Sequence, residues 1–169
     1  MTDHKDLFMT VEIPKGSFNK VEYNKKNKRF ELDRVLSSPM PYPEEYGVIS
    51  KTLALDGDEL DVICISNKPT FTGLYIPIRI VGALEMIDGG EEDHKLIAVN
   101  NVDPELDFIR TMDEIPSVRK EKIKHFFSHY KDLEKNKKDK KVVVGDFLDK
   151  EKAEKLLEDC RKLFLKSEK

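Results

Sequence analysis

Tryptophan is absent from the 169 residues, and cysteine occurs only at Cys64 and Cys160. Cys64 lies in a strand-like apolar run and Cys160 in a helix-like segment, so the pair reads as reduced thiols rather than a disulfide. No apolar run approaches the ~20 residues that cross a bilayer as a helix. Residues 1–6 lack the apolar core of a signal peptide. The expectation is a cytoplasmic protein with no membrane partner. A surplus of one charge is missing as well: 30 basic against 33 acidic residues leave a net charge of −3. General nucleic-acid binders carry a basic excess, so nucleic acid is not expected as a partner. Charged residues make up 37% and hydrophobic ones 38%, which still allows a core. The length suits one domain over residues 1–169.

What is present divides by period. Up to about residue 99 the pattern is strand-like. Residues 7–13 stop at the turn signal Pro14-Lys15-Gly16, and residues 20–23 and 29–35 alternate as arms of a hairpin. Pro39, Pro41 and Pro43 then exclude regular structure. Strand patterns resume over 46–55, 60–65, 75–86 and 95–99, the third long enough to bend. Beyond residue 103 the period is helical. Asp103 is placed to cap a short helix over 104–109, Ser117 a longer one to residue 133, and Asp149 a last one. That last helix carries Ala153, Leu156, Leu157, Cys160, Leu163 and Phe164 on its apolar face. The lysine-rich stretch 134–141 has no aromatic residues to stack on RNA and reads as a solvated turn, followed by a strand over 141–145. Strands first and helices afterwards predict an α+β domain on a small closed sheet.

The densest chemical signal is Asp56-Gly57-Asp58-Glu59-Leu60-Asp61, which leads straight into Val62-Ile63-Cys64-Ile65. Carboxylates packed this closely at the mouth of a buried strand repel one another unless a cation holds them. Oxygen ligands alone suit Mg²⁺ or Mn²⁺ better than zinc. A calcium loop does not fit, because the position of its bidentate glutamate falls on Asn67. A second acidic run, Asp88-Gly89-Gly90-Glu91-Glu92-Asp93, has the form of a hairpin loop. Beside the first, it would let the two loops share metals about 3.5–4 Å apart, which predicts an anionic substrate. Lys20, Arg34, Tyr42, Tyr46, Tyr130 and Lys131 add donors suited to phosphate oxygens. His125 and His129 stand four apart on a helix, but Phe126 occupies the place of the glutamate in H-E-x-x-H and no third ligand is evident.

These pieces, in this order, resemble the family I soluble inorganic pyrophosphatases. The resemblance rests on D-G-D-E-L-D-V from Asp56, V-E-I-P from Val11, K-V-E from Lys20 and L-D-R from Leu32. It continues with Y-P-E-E-Y-G from Tyr42, the loop from Asp88 to Lys95, and H-F-F-S-H-Y-K-D-L-E from His125. It implies a five-stranded OB-like β-barrel with flanking C-terminal helices, and hydrolysis of pyrophosphate to two orthophosphates. By similarity, Asp56, Asp61 and Asp93 hold the tightest metals, with Asp88 binding another and Glu12 helping through water. Asp58 faces a nucleophilic water bridging two metals and accepts its proton. Lys20, Arg34, Lys95, Tyr130 and Lys131 bind phosphates, with Tyr46 and Glu22 in the site and Tyr42 near it. Several Mg²⁺ per site are implied, Mn²⁺ or Zn²⁺ being substitutes, as is a hexamer. One departure stands out: Gly89 occupies a place next to Asp88 where members often carry an acid. The rival readings are another two-metal phosphohydrolase or nuclease and a non-enzymatic OB-fold module. The first needs a groove for a longer substrate; the second needs exposed aromatics on its strand faces.

Overall fold

The computed structural model describes residues 7–135 and 141–169. In chain order these form β1 (Phe8–Ile13), β2 (Asn19–Asn24), β3 (Arg29–Val35), β4 (Glu45–Ile49), β5 (Leu60–Ile65), β6 (Tyr75–Asp88), β7 (Glu91–Glu92), β8 (Lys95–Asn100), α1 (Ser117–His129), β9 (Val142–Leu148) and α2 (Lys150–Ser167). The strands β1, β4, β5, β8 and β6 hydrogen-bond in that order, and β6 returns to β1, which closes a ring of five. This is the small closed sheet expected from the strand pattern. β7 and β9 extend β6 beyond the ring, while β2 and β3 form a separate two-stranded arm.

β5 from Val62 to Ile65 and β8 from Leu96 to Val99 are apolar without a break because both of their faces are covered. They pair in parallel, Val62 beside Leu96 and Ile65 beside Val99. Successive side chains of a strand point to opposite faces. Val62, Cys64, Leu96 and Ala98 therefore join one core with Leu157 of α2. Ile63, Ile65, Ile97 and Val99 join the other with Phe126 and Phe127 of α1. A parallel pair covered on both sides has no solvated face to fill with polar residues. Each isoleucine so buried contributes about 1.5–3 kcal/mol. Asp61 and Lys95 share the face of Ile63 and Ile97, at its leading end.

Several boundaries differ from the sequence expectation. The strand expected over 46–55 ends at Ile49: Lys51 takes φ +59°, and the Thr52 hydroxyl donates to the Ile49 carbonyl and accepts from the Leu60 amide at 2.9 Å. The segment 50–59 is thus a hydrogen-bonded loop that delivers the acidic motif. Pro116, not Ser117, occupies the N-cap of α1, and the helix stops at His129 rather than residue 133. The short helix over 104–109 contracts to a 3-10 turn, Pro104–Leu106, although Asp103 does cap it, accepting from the Glu105 amide at 3.0 Å. β9 runs three residues past the expected 145 because it pairs along β6 as far as Ala83. Asp149 caps α2 as expected, accepting from the Lys152 amide at 2.9 Å. Only Ala153, Leu157 and Cys160 of its apolar face are fully buried. The reading of residues 1–6 and most of the lysine-rich turn, 136–140, lie outside the described residues.

Glycine decides local geometry at two places in the chain. Gly89 and Gly90 take φ +60° and +83° between Asp88 and Glu91, which pair across β6 and β7. Two consecutive positive φ angles make the tight turn that suits a right-twisted hairpin. Gly47 lies where β4 crosses β1, and a Cβ there would run into the Thr10 carbonyl. Because the obstacle is backbone, Gly47→Ala is expected to cost about 2–3 kcal/mol. That is a drop of roughly 5–10 °C in melting temperature for a chain of this size, readable by calorimetry.

Candidate active site

Parallel pairing of β5 and β8 sets Asp61 next to Lys95, one step ahead of the Val62–Leu96 pair. The Lys95 side chain is 2% exposed, so its ammonium must be fully hydrogen-bonded. It is: Nζ donates to Asp61 Oδ2 at 2.8 Å, Tyr46 Oη at 2.8 Å and Asp93 Oδ2 at 3.2 Å. Its three donors are thereby used. The ammonium also lies 5.2 Å from the Tyr46 ring centroid and 5.7 Å from that of Phe127. Burial works against the charged form, but Asp61 and Asp93 outweigh it, and the Lys95 pKa is raised.

Around this ammonium the acidic loops converge. The Asp58 amide donates to Asp56 Oδ1 at 3.0 Å, which turns the loop so that the two carboxylates face the same region. Partial loss of hydration raises the Asp58 pKa, and the charges of Asp56, Asp61 and Glu22 add to the rise. Asp93 is held near β6 by its amide, which donates to the Met86 carbonyl at 2.9 Å. Burial pushes its carboxyl up to about 6, with Lys95 opposing and Asp61 and Asp56 reinforcing. Glu12, on β1, accepts from the Tyr23 amide at 3.1 Å. Its pKa is pushed up to about 7, chiefly by burial, with the Tyr23 amide opposing and Asp61, Glu22 and Glu59 adding to the rise. The shared cause is an excess of carboxylate in a dehydrated space.

Of the other expected cations, Lys20 and Lys131 are hydrogen-bonded to protein carboxylates and Arg34 stands near one. The bulge between Lys20 and Val21 brings Lys20 to Glu22 at 2.6 Å and Asp33 at 3.3 Å. Lys131 reaches Asp88 at 2.5 Å and lies 5.4 Å from the Tyr130 ring. Arg34 Nε stands 3.6 Å from Glu134 Oε1, too far for a hydrogen bond. Neither atom has a hydrogen-bond partner among the described residues. Tyr42, Tyr46, Phe126, Phe127 and Tyr130 form the wall behind these groups, with Tyr42 and Tyr46 5.3 Å apart and Phe127 and Tyr130 5.6 Å apart. Burial raises the pKa of all three tyrosines, so they stay protonated donors.

The geometry therefore gathers Glu12, Lys20, Glu22, Tyr46, Asp56, Asp58, Asp61, Asp88, Asp93, Lys95, Tyr130 and Lys131 into one region, linked by the contacts and charge effects just described, and Arg34 joins it through its charge effect on Tyr42 and Tyr130. Sequence reasoning did not single out Asp33, Glu59, Glu134 or Phe127. Asp33 shares the alternation of β3, which was a usable signal; Glu134 and Phe127 stand within the motif from His125, which gave them no separate role. His125 and His129 lie outside this group. Their rings are 4.8 Å apart, and His129 Nδ1 contacts Asp132 at 2.8 Å.

A divalent cation fits the donor set. The donors are carboxylate oxygens, burial and the neighbouring carboxylates raise the pKa of Glu12, Asp58 and Asp93, and an ammonium already lies between Asp61 and Asp93. Among the described residues no group of three His, Cys, Asp or Glu side chains is placed to hold a metal ion; Lys95 stands between Asp61 and Asp93, and Lys131 lies on Asp88. Lys95→Met should lower the stability of chelator-treated protein by about 3 kcal/mol, the usual cost of removing one partner from a buried charge cluster. Added Mg²⁺ should return part of that loss in a thermal melt. An unchanged melting temperature would refute the bridging role.

Comparison with known proteins places this arrangement. The family model described as inorganic pyrophosphatase matches residues 9–165. The inorganic pyrophosphatase of Halalkalibacterium halodurans is 52% identical over 150 residues, covering 89% of this chain and 90% of that protein. That of Geobacillus stearothermophilus is 47% identical over 158 residues, covering 94% and 93%. Among solved structures, the Thermus thermophilus inorganic pyrophosphatase superposes with a TM-score of 0.91 at 38% identity, over 96% of this chain and 94% of that one.

Proposed function

The chain belongs to the inorganic pyrophosphatase family and is a hydrolase, and on that footing we propose that it uses Mg²⁺ and the carboxylate-rich region around Lys95 to split pyrophosphate into two orthophosphates. The observation that carries the reading is the buried Lys95 ammonium shared by Asp61, Asp93 and Tyr46. It marks the point where negative charge is concentrated and positive charge is required.

Asp56, Asp61, Asp88 and Asp93 would hold the metal ions, with Glu12 assisting. Bound divalent cations would neutralise the substrate and make a water nucleophilic near neutral pH. Asp58, whose neighbours raise its basicity, takes the proton from the attacking water. Glu22 holds Lys20 in place. Lys20, Arg34 and Lys131 exchange their carboxylate partners for phosphate oxygens, and Lys95 does so by releasing one of its three acceptors. Tyr46 and Tyr130 remain protonated and donate to the same oxygens. Positioning and charge neutralisation then supply most of the acceleration. Among the described residues no helix is long and apolar enough to cross a membrane. We read the chain as one domain, residues 1–169, acting in the cytoplasm as a homo-oligomer, a hexamer by resemblance. Exposed apolar side chains such as Phe71 and Tyr75, 62% and 67% exposed, supply contact surface for it.

Phosphate release from pyrophosphate, measured with Mg²⁺ and with excess EDTA, tests the reading, with a nucleotide and DNA as comparison substrates. Activity is expected with pyrophosphate and Mg²⁺, to vanish with chelator and to return with added Mg²⁺. Asp58→Asn should lose about a hundredfold or more in kcat while its Mg²⁺ affinity changes far less. Undiminished turnover by that variant would remove Asp58 from the role of proton acceptor.

A further inference from the structure

Behind the tyrosine wall lies a charged cluster that touches none of the reacting groups. The Glu44 side chain is 3% exposed and lies two residues from both Tyr42 and Tyr46. Arg119, in the first turn of α1, grips it: Nε donates to Oε1 at 3.2 Å and Nη2 to Oε2 at 2.9 Å, with a second Nη2 contact to Oε1. Lys15, in the turn after β1, donates to the same Oε1 at 3.1 Å. Both cations also donate to the Ser66 carbonyl just beyond β5, at 2.8 and 2.9 Å. Arg119 Nη1 reaches Asn67 Oδ1 at 2.8 Å. One buried carboxylate thus joins the turn after β1, the proline loop, the end of β5 and the start of α1.

Stability alone is a poor reason for this arrangement. Replacing a buried ion pair with apolar groups of similar volume is often neutral or stabilising. Burial raises the Glu44 pKa while Arg119 and Lys15 oppose it, so carboxylate and cations hold one another in place. What the cluster supplies is direction, since a guanidinium fork accepts only a narrow range of carboxylate orientations. Its effect reaches the site through packing. Tyr42 lies 4.6 Å from Phe126 and 5.3 Å from Tyr46, Tyr46 lies 5.8 Å from Phe127, and Phe126 stacks on Tyr130 at 5.2 Å. α1 is a rod about 20 Å long, clamped by Arg119 near its start and capped by Tyr130 at its end.

We propose that Glu44, Arg119 and Lys15 are positioning residues: their ion cluster sets how α1 meets the proline loop, and thereby where Tyr46 and Tyr130 stand along the site. The kinetic part of this proposal rests on the function proposed above. Its spectroscopic part does not. With no tryptophan and five tyrosines in the chain, the near-ultraviolet circular dichroism is a tyrosine signal, and Tyr42, Tyr46 and Tyr130 make up most of those tyrosines.

The parent and the variants Arg119→Met, Arg119→Lys and Glu44→Gln are compared as full chains, each well below its own melting temperature. In Arg119→Met and Glu44→Gln the tyrosine band should weaken, and kcat for pyrophosphate should fall about ten- to hundredfold, as for a misplacement of about 1 Å. KM should move by no more than about twofold. Arg119→Lys, which keeps the charge without the fork, should recover part of the band and part of the rate. Should Arg119→Met fail to fold, Glu44→Gln decides the matter, since it keeps the size of the side chain while replacing one acceptor oxygen with a donor. A folded variant with an unchanged tyrosine band overturns the proposal, whether its rate falls or not. If the parent itself released no phosphate from pyrophosphate, the assigned function would fail, and the band would still decide the positioning.

Discussion

One ammonium group with three acceptors organises the molecule. Lys95 lies under the surface with its donors divided among Asp61, Asp93 and Tyr46, from three different strand or loop segments. Each partner has a reason to be where it is only if the others are. Asp61 enters an apolar strand because Lys95 begins the neighbouring one. Tyr46 turns its hydroxyl inward because a cation is there to donate to it. Without the ammonium, the two carboxylates would face each other in a dehydrated space, at a cost of several kcal/mol. The ring of strands serves this contact, since only parallel pairing of β5 with β8 brings the two leading ends side by side.

The surrounding charges follow the same rule in reverse. Lys20, Arg34 and Lys131 each stand near a carboxylate: Glu22 and Asp33, Glu134, and Asp88. A phosphate-binding surface left to itself would be strongly positive and self-repelling. Here the cations are stored on internal anions, with which an incoming anion would exchange in the function proposed above. Arg34 fits this least comfortably, its Nε buried 3.6 Å from Glu134 with no hydrogen bond. A donor in that state gains more from an oxyanion than one already satisfied.

How much of this was legible in the chain depended on the range of the interaction. The acidic hexapeptide, the β2–β3 hairpin, the Asp103 and Asp149 caps and the doubly apolar runs of β5 and β8 are local patterns, and they appear where periodicity put them. Lys95 was recognisable as a site residue through its motif, but not as the bridge between Asp61 and Asp93, because that depends on a parallel register. The end of β4 was misread because Val48 and Ile49 continue a strand pattern that Lys51 and Thr52 stop through backbone conformation and a hydroxyl bond. The end of α1 was misread for a related reason: residues 130–133 keep the helical period while His129 turns to Asp132. Glu44 and Arg119 are ordinary charges on the page, and only the fold reveals that they meet.

The parallel neighbourhood of β5 and β8 also governs how the protein comes into being. Lys95 is separated along the chain from Asp61 by 34 residues and from Tyr46 by 49, and Lys131 from Asp88 by 43. Such distant pairings form late, because long loops must close before any contact rewards them. During synthesis the acidic loop leaves the ribosome well before its neutralising lysines. On the function proposed above, the nascent chain would lack a complete site until Tyr130 and Lys131 have emerged and α1 has docked.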